Sequence, residues 1–473
     1  MRRALAMVAA VAALATWLDF SRLHQGHHAD SLVPVLIGLT AWTPFYWGQD
    51  RFGTLVPLLA LPVRAPGAHL LFHGWLVIAL SVCGLLLLVR TLLPRHLPWT
   101  APGALLLVLL LLLAPADQRF NLLWVQPYTP SFALGLSAVA LLHRPGALRA
   151  GAAAALLCAA AWINVAVGLV VGPLLVWRAL FIDTGRPQAA RLRFLAEGLL
   201  LLALATLVSS RLSAAVDMRH TPTELLPVAS WPRAASELLR GAWSEPAVRA
   251  WMCAALGLGA LGALALGSGR VRQRATPVLL AATGLAVTAT LPFLAASASK
   301  WVAQNGYALR YLDPSLVLLQ AALCLLATLP LLAVPGDEQG PVTAGSVAAV
   351  AAAVLLAVGP PSMRAVTDAF ASRWGAMARD VVASHATHVT GDYWKVWPTV
   401  FTADWLLGDA RRAEWPYGIT DRSVATLERA RAVPQPRVAI LGGNAAWIGL
   451  LGPHRWRVVE RRPALVLVTP GPD

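Results

Sequence analysis

Long apolar stretches without a single charge constrain this chain more than any motif does. The runs 101–114 and 341–359 contain no Asp, Glu, Lys or Arg. Only 13% of the 473 residues are charged and the mean hydropathy is +0.63, whereas a soluble protein of this length has about 25% charged residues. Because a bilayer core needs roughly 20 apolar residues per helix, the sequence predicts an all-α polytopic membrane protein.

The apolar runs predict about eleven transmembrane helices. They cover residues 4–20, 68–89, 101–115, 131–142, 148–163, 165–182, 194–210, 249–268, 276–295, 312–334 and 341–359. The remainder of the chain has short β-branched runs that end at Gly or Pro, such as RVAILGG and ALVLVTPG, which are typical of strands. The predicted domains are therefore a transmembrane domain over 1–360 and a small C-terminal α/β domain over 361–473.

The positions of the basic residues predict the orientation of the chain. Nearly every second loop is rich in arginine, and these arginines are Arg90, Arg95, Arg144, Arg149, Arg186, Arg191, Arg193, Arg270, Arg272 and Arg274. Such loops stay in the cytoplasm, which explains the net charge of +15 without a nucleic acid partner. The N-terminus is then cytoplasmic, and the loops 21–67, 117–130, 211–248 and 296–311 and the C-terminal domain lie outside.

The N-terminal run has two interpretations. Arg2 and Arg3 precede an Ala-rich segment that resembles a short signal peptide, or the same segment is an uncleaved first span. The second is preferred because the apolar run continues to Leu18 with Thr16 as its one interruption. In either case the loop that follows lies outside.

The predicted spans keep their ionisable residues close to their ends. Ion-coupled transporters need carboxylates, histidines or broken helices near the bilayer midplane, and that pattern is missing from the sequence. Acidic, histidine and aromatic residues collect in the predicted outer loops instead. This asymmetry favours an enzyme whose site lies at the outer surface, where a carboxylate can act as a general base and a cation can neutralise phosphate.

The first outer loop supplies two acidic candidates and one basic candidate. Asp30 is the candidate general base, with Asp19 as its rival, although Asp30 is also suited to cap the helix predicted for SLVPVLIGL. Asp50 and Arg51 are candidate substrate ligands, with a surface ion pair as the alternative.

The loop 296–311 supplies four further candidate substrate ligands. Lys300 and Arg310 are candidates for phosphate, and the alternative is that both are interfacial residues that snorkel. Tyr307 and Tyr311 lie beside them, although tyrosine is common at membrane interfaces without any further role.

Metal and nucleotide sites are weakly indicated. His24 and His28 in HQGHHAD lie four residues apart, but Gly26 interrupts the segment and no second ligand cluster follows, so no metal ligands are predicted there. A divalent cation held by Asp30 together with a substrate phosphate stays open. ILGGNAAWIGL in the C-terminal domain lacks GxGxxG and is interpreted as structural. The aromatic stretch 391–405 suits sugar stacking and packing on the membrane part equally.

With these residues in view, the chain resembles the GT-C superfamily of polytopic glycosyltransferases, of the protein mannosyltransferase and aminoarabinose transferase type. Asp30 in HHADSL, with Asp19 in WLDFS as the rival, matches the acidic residue near the start of the large outer loop. The segment Arg310–Pro314 matches a later span that begins near Arg-Tyr and proline. The Ala-rich turn 156–177 also matches, with Asn164 at the position of the usual lysine. The family's second acidic residue is replaced by Ser31.

The resemblance implies a function as well as a fold. It implies transfer of a sugar from a polyprenyl-phosphate-linked donor to a lipid or glycan acceptor, at the outer face of a bacterial-type inner membrane. Asp30 would take a proton from an acceptor hydroxyl, while Arg310 and Lys300 would stabilise the leaving phosphate. The alternatives are a lipid-linked glycan flippase, which should have basic residues through its membrane core, and a non-catalytic membrane scaffold.

Overall fold

A computed structural model describes most of the chain as two compact units. The described residues are 2–47, 49–93, 97, 99–216, 224–333, 345, 349, 352–354, 356–420, 424–443, 446–447, 449 and 455–471. The helical unit comprises Met1–Val11, Ile78–Arg211 and Pro222–Gly359. The α/β unit comprises Ala12–Val77, Leu212–Thr221 and Pro360–Asp473.

The helical unit is assembled from apolar helices joined by short connections. Its described α-helices are α1 (Arg2–Asp19), α4 (Pro66–Leu92), α5 (Thr100–Val108), α6 (Ala116–Phe120), α7 (Tyr128–Leu142), α8 (Ala147–Ile163), α9 (Gly168–Trp177), α10 (Gln188–Ala215), α11 (Trp231–Ser244), α12 (Pro246–Leu264), α13 (Gly269–Ala298), α14 (Lys300–Gln304) and α15 (Asp313–Ala327). Of these, α1, α4 and α10 also contribute residues to the α/β unit. Wider π-helical turns continue α5 over Leu109–Leu113, α6 over Asn121–Val125 and α9 over Arg178–Ile182.

Six described helices are long and apolar enough to cross a membrane. They are Pro66–Leu92, Val165–Ile182, Gln188–Ala215, Pro246–Gly267, Ala275–Ala298 and Leu309–Leu331. The predicted runs 4–20, 101–115, 131–142 and 148–163 correspond to the shorter apolar helices Met7–Asp19, Thr100–Leu113, Tyr128–Leu142 and Ala147–Ile163. The run 341–359 lies largely outside the described residues. A membrane protein of mostly helical architecture is therefore indicated, and the count of about eleven spans is not confirmed.

Small residues bring the long helices into backbone contact. On α12, a Cβ atom added at Gly262 would lie 1.9 Å from the carbonyl oxygen of Leu326, and one at Gly259 would lie 2.7 Å from the side chain of Leu323. On α4, a Cβ at Gly84 would lie 2.3 Å from the carbonyl oxygen of Thr129. Helices in lipid associate through such close packing because the hydrophobic effect does not drive them together.

Hydrogen bonds and ion pairs join the segments that connect the helices of the helical unit. These connecting segments fall into two groups. In one group, Arg178 donates to the carbonyl of Thr91 and pairs with Asp183 at 3.1 Å, while Arg186 Nη2 donates to the carbonyl of His143 at 2.8 Å. In the other group, Leu226 N donates to the carbonyl of Ala298 at 2.7 Å. The connections predicted to share a membrane side thus contact one another.

The α/β unit is built on a five-stranded mixed sheet. Its strands are β3 (His388–Thr390), β4 (Tyr417–Ile419), β5 (Val438–Leu441), β6 (Trp456–Arg461) and β7 (Leu465–Pro470), in the order β4-β3-β5-β7-β6. β3 pairs in parallel with β4 and β5, and β7 runs antiparallel to β5 and β6. The small C-terminal sheet domain expected from the strand-like runs is therefore present.

The remaining elements of this unit include the whole first predicted outer loop. They are α2 (Ala29–Leu39), the hairpin of β1 (Phe45–Tyr46) and β2 (Gln49–Gly53), α3 (Leu55–Ala60), α16 (Met363–Arg373), α17 (Gly375–Ala383), α18 (Tyr393–Leu407) and α19 (Val424–Arg431). α18 lies in the connection between the parallel strands β3 and β4, and α19 lies in the connection between β4 and β5.

The first predicted outer loop packs with the C-terminal part of the chain. Every residue of α2 except Asp30 is buried, and α2 contacts α18 directly. Trp47 from the hairpin lies 5.2 Å from Trp397 of α18, ring to ring. The sequence-based division at residue 360 assigned this loop to the transmembrane domain, whereas the structure places it in the α/β unit, because its apolar surface is covered by the aromatic helix α18.

Candidate active site

Asp30 lies in the first turn of α2, one residue past the first helical position. His28 is the N-cap, and its backbone N–H donates to Ser31 Oγ at 3.1 Å. The interpretation of Asp30 as the capping residue is therefore wrong. A carboxylate in the first turn still interacts favourably with the helix dipole, and Asp30 is the half-buried exception on a buried helix.

The hydroxyl of Tyr393 donates a hydrogen bond of 2.9 Å to Asp30 Oδ1. Tyr393 is 5% exposed and is the first residue of α18. Asp392 caps that helix by accepting from Trp394 N at 2.9 Å. The donor is thus fixed by a capped helix, and the acceptor by the first turn of another.

Glycine at position 391 makes the turn before Tyr393 possible. Its φ is +144°, and an added Cβ would lie 3.1 Å from the Cβ of Leu441. Only glycine adopts such a conformation readily. The segment from the end of β3 to Tyr393 therefore approaches β5 closely.

The hydrogen-bonded pair of Asp30 and Tyr393 lies next to the carboxyl end of a parallel strand, where ligands of α/β sheets commonly bind. Tyr393 follows the carboxyl end of β3 by three residues, and β3 lies between β4 and β5 in the parallel part. In the order β4-β3-β5-β7-β6, the connection leaving β3 leads to β4 on one side and the connection leaving β5 leads to β6 on the other. The topological switch point therefore lies between β3 and β5. Ligands of open α/β sheets bind outside the carboxyl ends of the strands at such a point.

An aromatic cluster adjoins Tyr393, the hydrogen-bond donor of Asp30. The ring of His28 lies 5.5 Å from that of Trp394 in an edge-on arrangement, and Trp394 lies 5.3 Å from Tyr393. Trp394 is 38% exposed, whereas Trp397 is buried. Trp397 packs internally against Trp47, whereas sugar stacking by Trp394, which lies next to Tyr393, stays a prediction.

A buried histidine chain leads to the N-terminus of α2. His24 Nδ1 lies 2.9 Å from His27 Nε2, and His27 Nδ1 lies 3.0 Å from Ser31 Oγ. Burial lowers the pKa of His24 to about 4 and holds the pKa of His27 well below its usual value. Both imidazoles are therefore neutral near pH 7, and their hydrogen bonds fix the segment that carries Asp30.

Asp19 is less suited than Asp30 to act on a substrate. Its side chain is fully buried, and Oδ1 lies 3.8 Å from His24 Nε2. A general base must be within hydrogen-bond reach of the proton it takes, and the half-buried Asp30 meets that condition better. Among the described residues, no group of three or more His, Cys, Asp or Glu is placed to hold a metal ion.

The other predicted ligands of the first loop belong to the hairpin. Asp50 and Arg51 lie in β2, which pairs with β1. Their side chains lie outside the described part of the structure, so the substrate role predicted for both stays a prediction.

The predicted ligands of the loop 296–311 belong to the helical unit. Lys300 Nζ pairs with the carboxylate of Glu224, and both side chains are largely exposed. Arg310 Nη2 donates to the hydroxyl of Tyr311 at 3.4 Å, and its guanidinium carbon lies 5.3 Å from the centroid of that ring. Tyr307 has a left-handed backbone, with φ of +54°.

Sequence reasoning missed three residues of this site as individuals. Tyr393 and Trp394 lay in the aromatic stretch that was noted as a whole, and GDYW, with its glycine and its capping aspartate, was the local signal for a strand that turns into a helix. Arg373, whose Nη1 donates to the carbonyls of Gln25 and His27 at 3.1 and 3.3 Å, had no signal in the sequence.

The site therefore consists of a half-buried carboxylate that a tyrosine orients, beside an exposed indole, in a chain with six candidate membrane spans. No family model, curated protein or solved structure matches this chain.

Proposed function

We propose that the chain is an integral membrane glycosyltransferase. It transfers a sugar from a polyprenyl-phosphate-linked donor to a hydroxyl group of a lipid or glycan acceptor at the outer face of the membrane. The observation that carries the proposal is the hydrogen bond from Tyr393 to Asp30, because it combines the acidic candidate with the aromatic stretch in one arrangement.

Asp30 serves as the general base in this proposal. Its carboxylate takes the proton of the acceptor hydroxyl while the acceptor oxygen forms a bond to the anomeric carbon. The bond from that carbon to the phosphate oxygen breaks, and polyprenyl phosphate leaves with the electron pair. Tyr393 keeps one carboxylate oxygen oriented, and Trp394 offers an exposed face on which a sugar ring can stack.

Arg310 and Lys300 belong to the helical unit, and the phosphate-binding role proposed for them rests on contacts within that unit alone. Arg310 is half-buried against Tyr311, where a guanidinium is pre-organised for phosphate oxygens. Lys300 is held by Glu224 in an exposed pair, and such pairs contribute at most about 1 kcal/mol. A substrate phosphate can therefore exchange with Glu224 at low cost.

The test is transfer by the Asp30→Asn variant of the full chain. Membrane vesicles that contain the protein are supplied with synthetic polyprenyl-phosphate mannose, glucose, galactose or aminoarabinose, and release of polyprenyl phosphate is measured. Removal of a general base lowers the rate by about 10²–10⁴-fold, so Asp30→Asn should lose nearly all release that the unmodified chain supports.

Two further variants make the result specific. Asp368→Asn removes a carboxylate that is 67% exposed on α16 and pairs with Arg364, and it should keep full activity. Tyr393→Phe should retain binding and lose part of kcat, because the base loses its orienting donor. Full phosphate release by Asp30→Asn, or none from any donor by the unmodified chain, would contradict the proposal.

A further inference from the structure

Helix α11 has an apolar surface wider than the part that the protein covers. At 3.6 residues per turn, its sequence WPRAASELLRGAWS places apolar residues over roughly half of the helix circumference. Ala234 and Leu238 are each 1% exposed and face the rest of the helical unit. Leu239 is 57% exposed and Trp243 is 52% exposed, four residues apart on the adjoining part of the same apolar surface.

The opposite side of α11 is polar. Arg233 and Arg240 lie about 20° apart on the helical wheel, and roughly 100° or more from Leu239. Arg240 Nη1 donates to Glu237 Oε1 at 2.8 Å. The helix thus has three sides, which are a buried apolar side, an exposed apolar side and a basic polar side.

α11 is not itself a membrane span. It has 14 residues and contains Arg233, Glu237 and Arg240, whereas a spanning helix needs roughly 20 apolar residues. It ends at Ser244, and the candidate span Pro246–Gly267 begins two residues later. Its C-terminal end must therefore lie where the bilayer begins.

We infer that α11 is an interfacial helix that lies along the membrane surface, with Leu239 and Trp243 inserted among the acyl chains. The partner that covers the exposed apolar side is the lipid surface, because the chain continues from this side directly into a span. Tryptophan is enriched at this depth, and an arginine-bearing polar face suits the headgroup layer. The inference is independent of the proposed glycosyl transfer.

The position of α11 gives this lipid contact a consequence for the helical unit. α11 packs on α12, on α13 and on the turn Leu309–Leu312, which carries Arg310. A Cβ at Gly241 would lie 4.0 Å from the carbonyl oxygen of Tyr307. If α11 is held at the membrane surface, its contacts also set how deep the turn Leu309–Leu312 lies in the membrane.

The test measures which side of α11 touches lipid. Cys83, Cys158, Cys253 and Cys324 are first replaced by Ala, and single cysteines are introduced by Leu239→Cys, Trp243→Cys and, as the control on the polar side, Arg233→Cys. Each is labelled with bimane in the full chain, which is reconstituted in nanodiscs of phosphatidylcholine and phosphatidylglycerol. Emission is compared with and without phosphatidylcholine that carries a nitroxide at carbon 5.

The inference predicts strong quenching at two positions and little at the third. Labels at 239 and 243 should lose about half of their emission or more when nitroxide lipid is present, since the apolar face of an interfacial helix lies roughly 5–10 Å deep. The label at 233 should keep most of its emission. Equal quenching at all three positions, or quenching at 233 alone, would overturn the inference. All three side chains are exposed, so the labelled variants should fold like the unmodified chain.

Discussion

Asp404 is a buried carboxyl group on α18 whose two oxygens have no hydrogen-bond partner among the described residues. Burial raises the pKa of Asp404 well above its usual value, and Arg412 offsets the shift only in part. Because the folded state holds this proton more tightly than the unfolded state, the stability that the group contributes is greatest at low pH. It is lost as pH rises above the unfolded pKa of about 4.

The variant Asp404→Asn keeps the shape of the side chain and removes its ionisation. We expect its unfolding midpoint at pH 7 to rise by about 2–4 °C for each kcal/mol gained, and its stability to fall less between pH 5 and pH 7 than that of the unmodified chain. Thermal unfolding of the full chain at both pH values checks this. The exposed variant Asp368→Asn should shift neither value, and a lower midpoint for Asp404→Asn at pH 7 would show that the carboxylate is charged and stabilised.

At the residue scale, the sequence predicted one half of the candidate site. Asp30 was identified because it is an acidic residue in a polar loop between apolar runs. Its donor Tyr393 lies 363 positions away, and no local pattern states which aromatic side chain meets which carboxylate. The capping interpretation failed for a related reason. The helix starts after His28, whose backbone N–H donates to Ser31 Oγ, and histidine is not among the residue types that predict an N-cap.

At the scale of elements, the contact of α12 with α15 depends on a glycine. Gly262→Ala would place a methyl group 1.9 Å from the carbonyl oxygen of Leu326, and a backbone atom cannot move aside as a side chain can. Overpacking of this kind costs about 1–3 kcal/mol. We therefore expect Gly262→Ala to lower the unfolding midpoint in detergent clearly.

Gly257 on the same helix is the matched control. A Cβ there has no atom within 4 Å, and Ala favours a helix over Gly by about 1 kcal/mol. Gly257→Ala should therefore leave the midpoint unchanged or raise it slightly. If both variants behaved alike, the close approach of α12 and α15 would be wrong.

Apolar runs predicted where helices form better than how long each helix is. The run 101–115 becomes α5 followed by the π-helical turn Leu109–Leu113, and it ends at Ala114 with an extended backbone. The run 131–142 corresponds to α7, which has 15 residues. Hydropathy reports that a segment is apolar, but a short helix buried among neighbours is as apolar as a span, and tertiary packing decides between them.

At the scale of the whole molecule, the contacts between connections agree with the arginine pattern. Arg178, Asp183, Arg186 and His143 join connections that the positive-inside rule assigns to the cytoplasm. Leu226 and Ala298 join two connections assigned to the outside. Each group holds together residues predicted to lie on one side, so one experimental assignment fixes the side of the whole group.

We therefore predict that the connection with Arg149 is cytoplasmic and that the C-terminal sheet domain is outside. Arg149→Cys and His385→Cys are both at exposed positions, and each is introduced into the chain that lacks the four native cysteines. In spheroplasts, a membrane-impermeant maleimide should label position 385 at once and position 149 only after the membrane is disrupted. The reverse pattern would place Asp30 and Tyr393, which share a unit with residue 385, on the cytoplasmic side, and would rule out transfer at the outer face. Labelling of both positions before disruption would mean that the basic connection is not retained inside, and the arginines would then need another explanation.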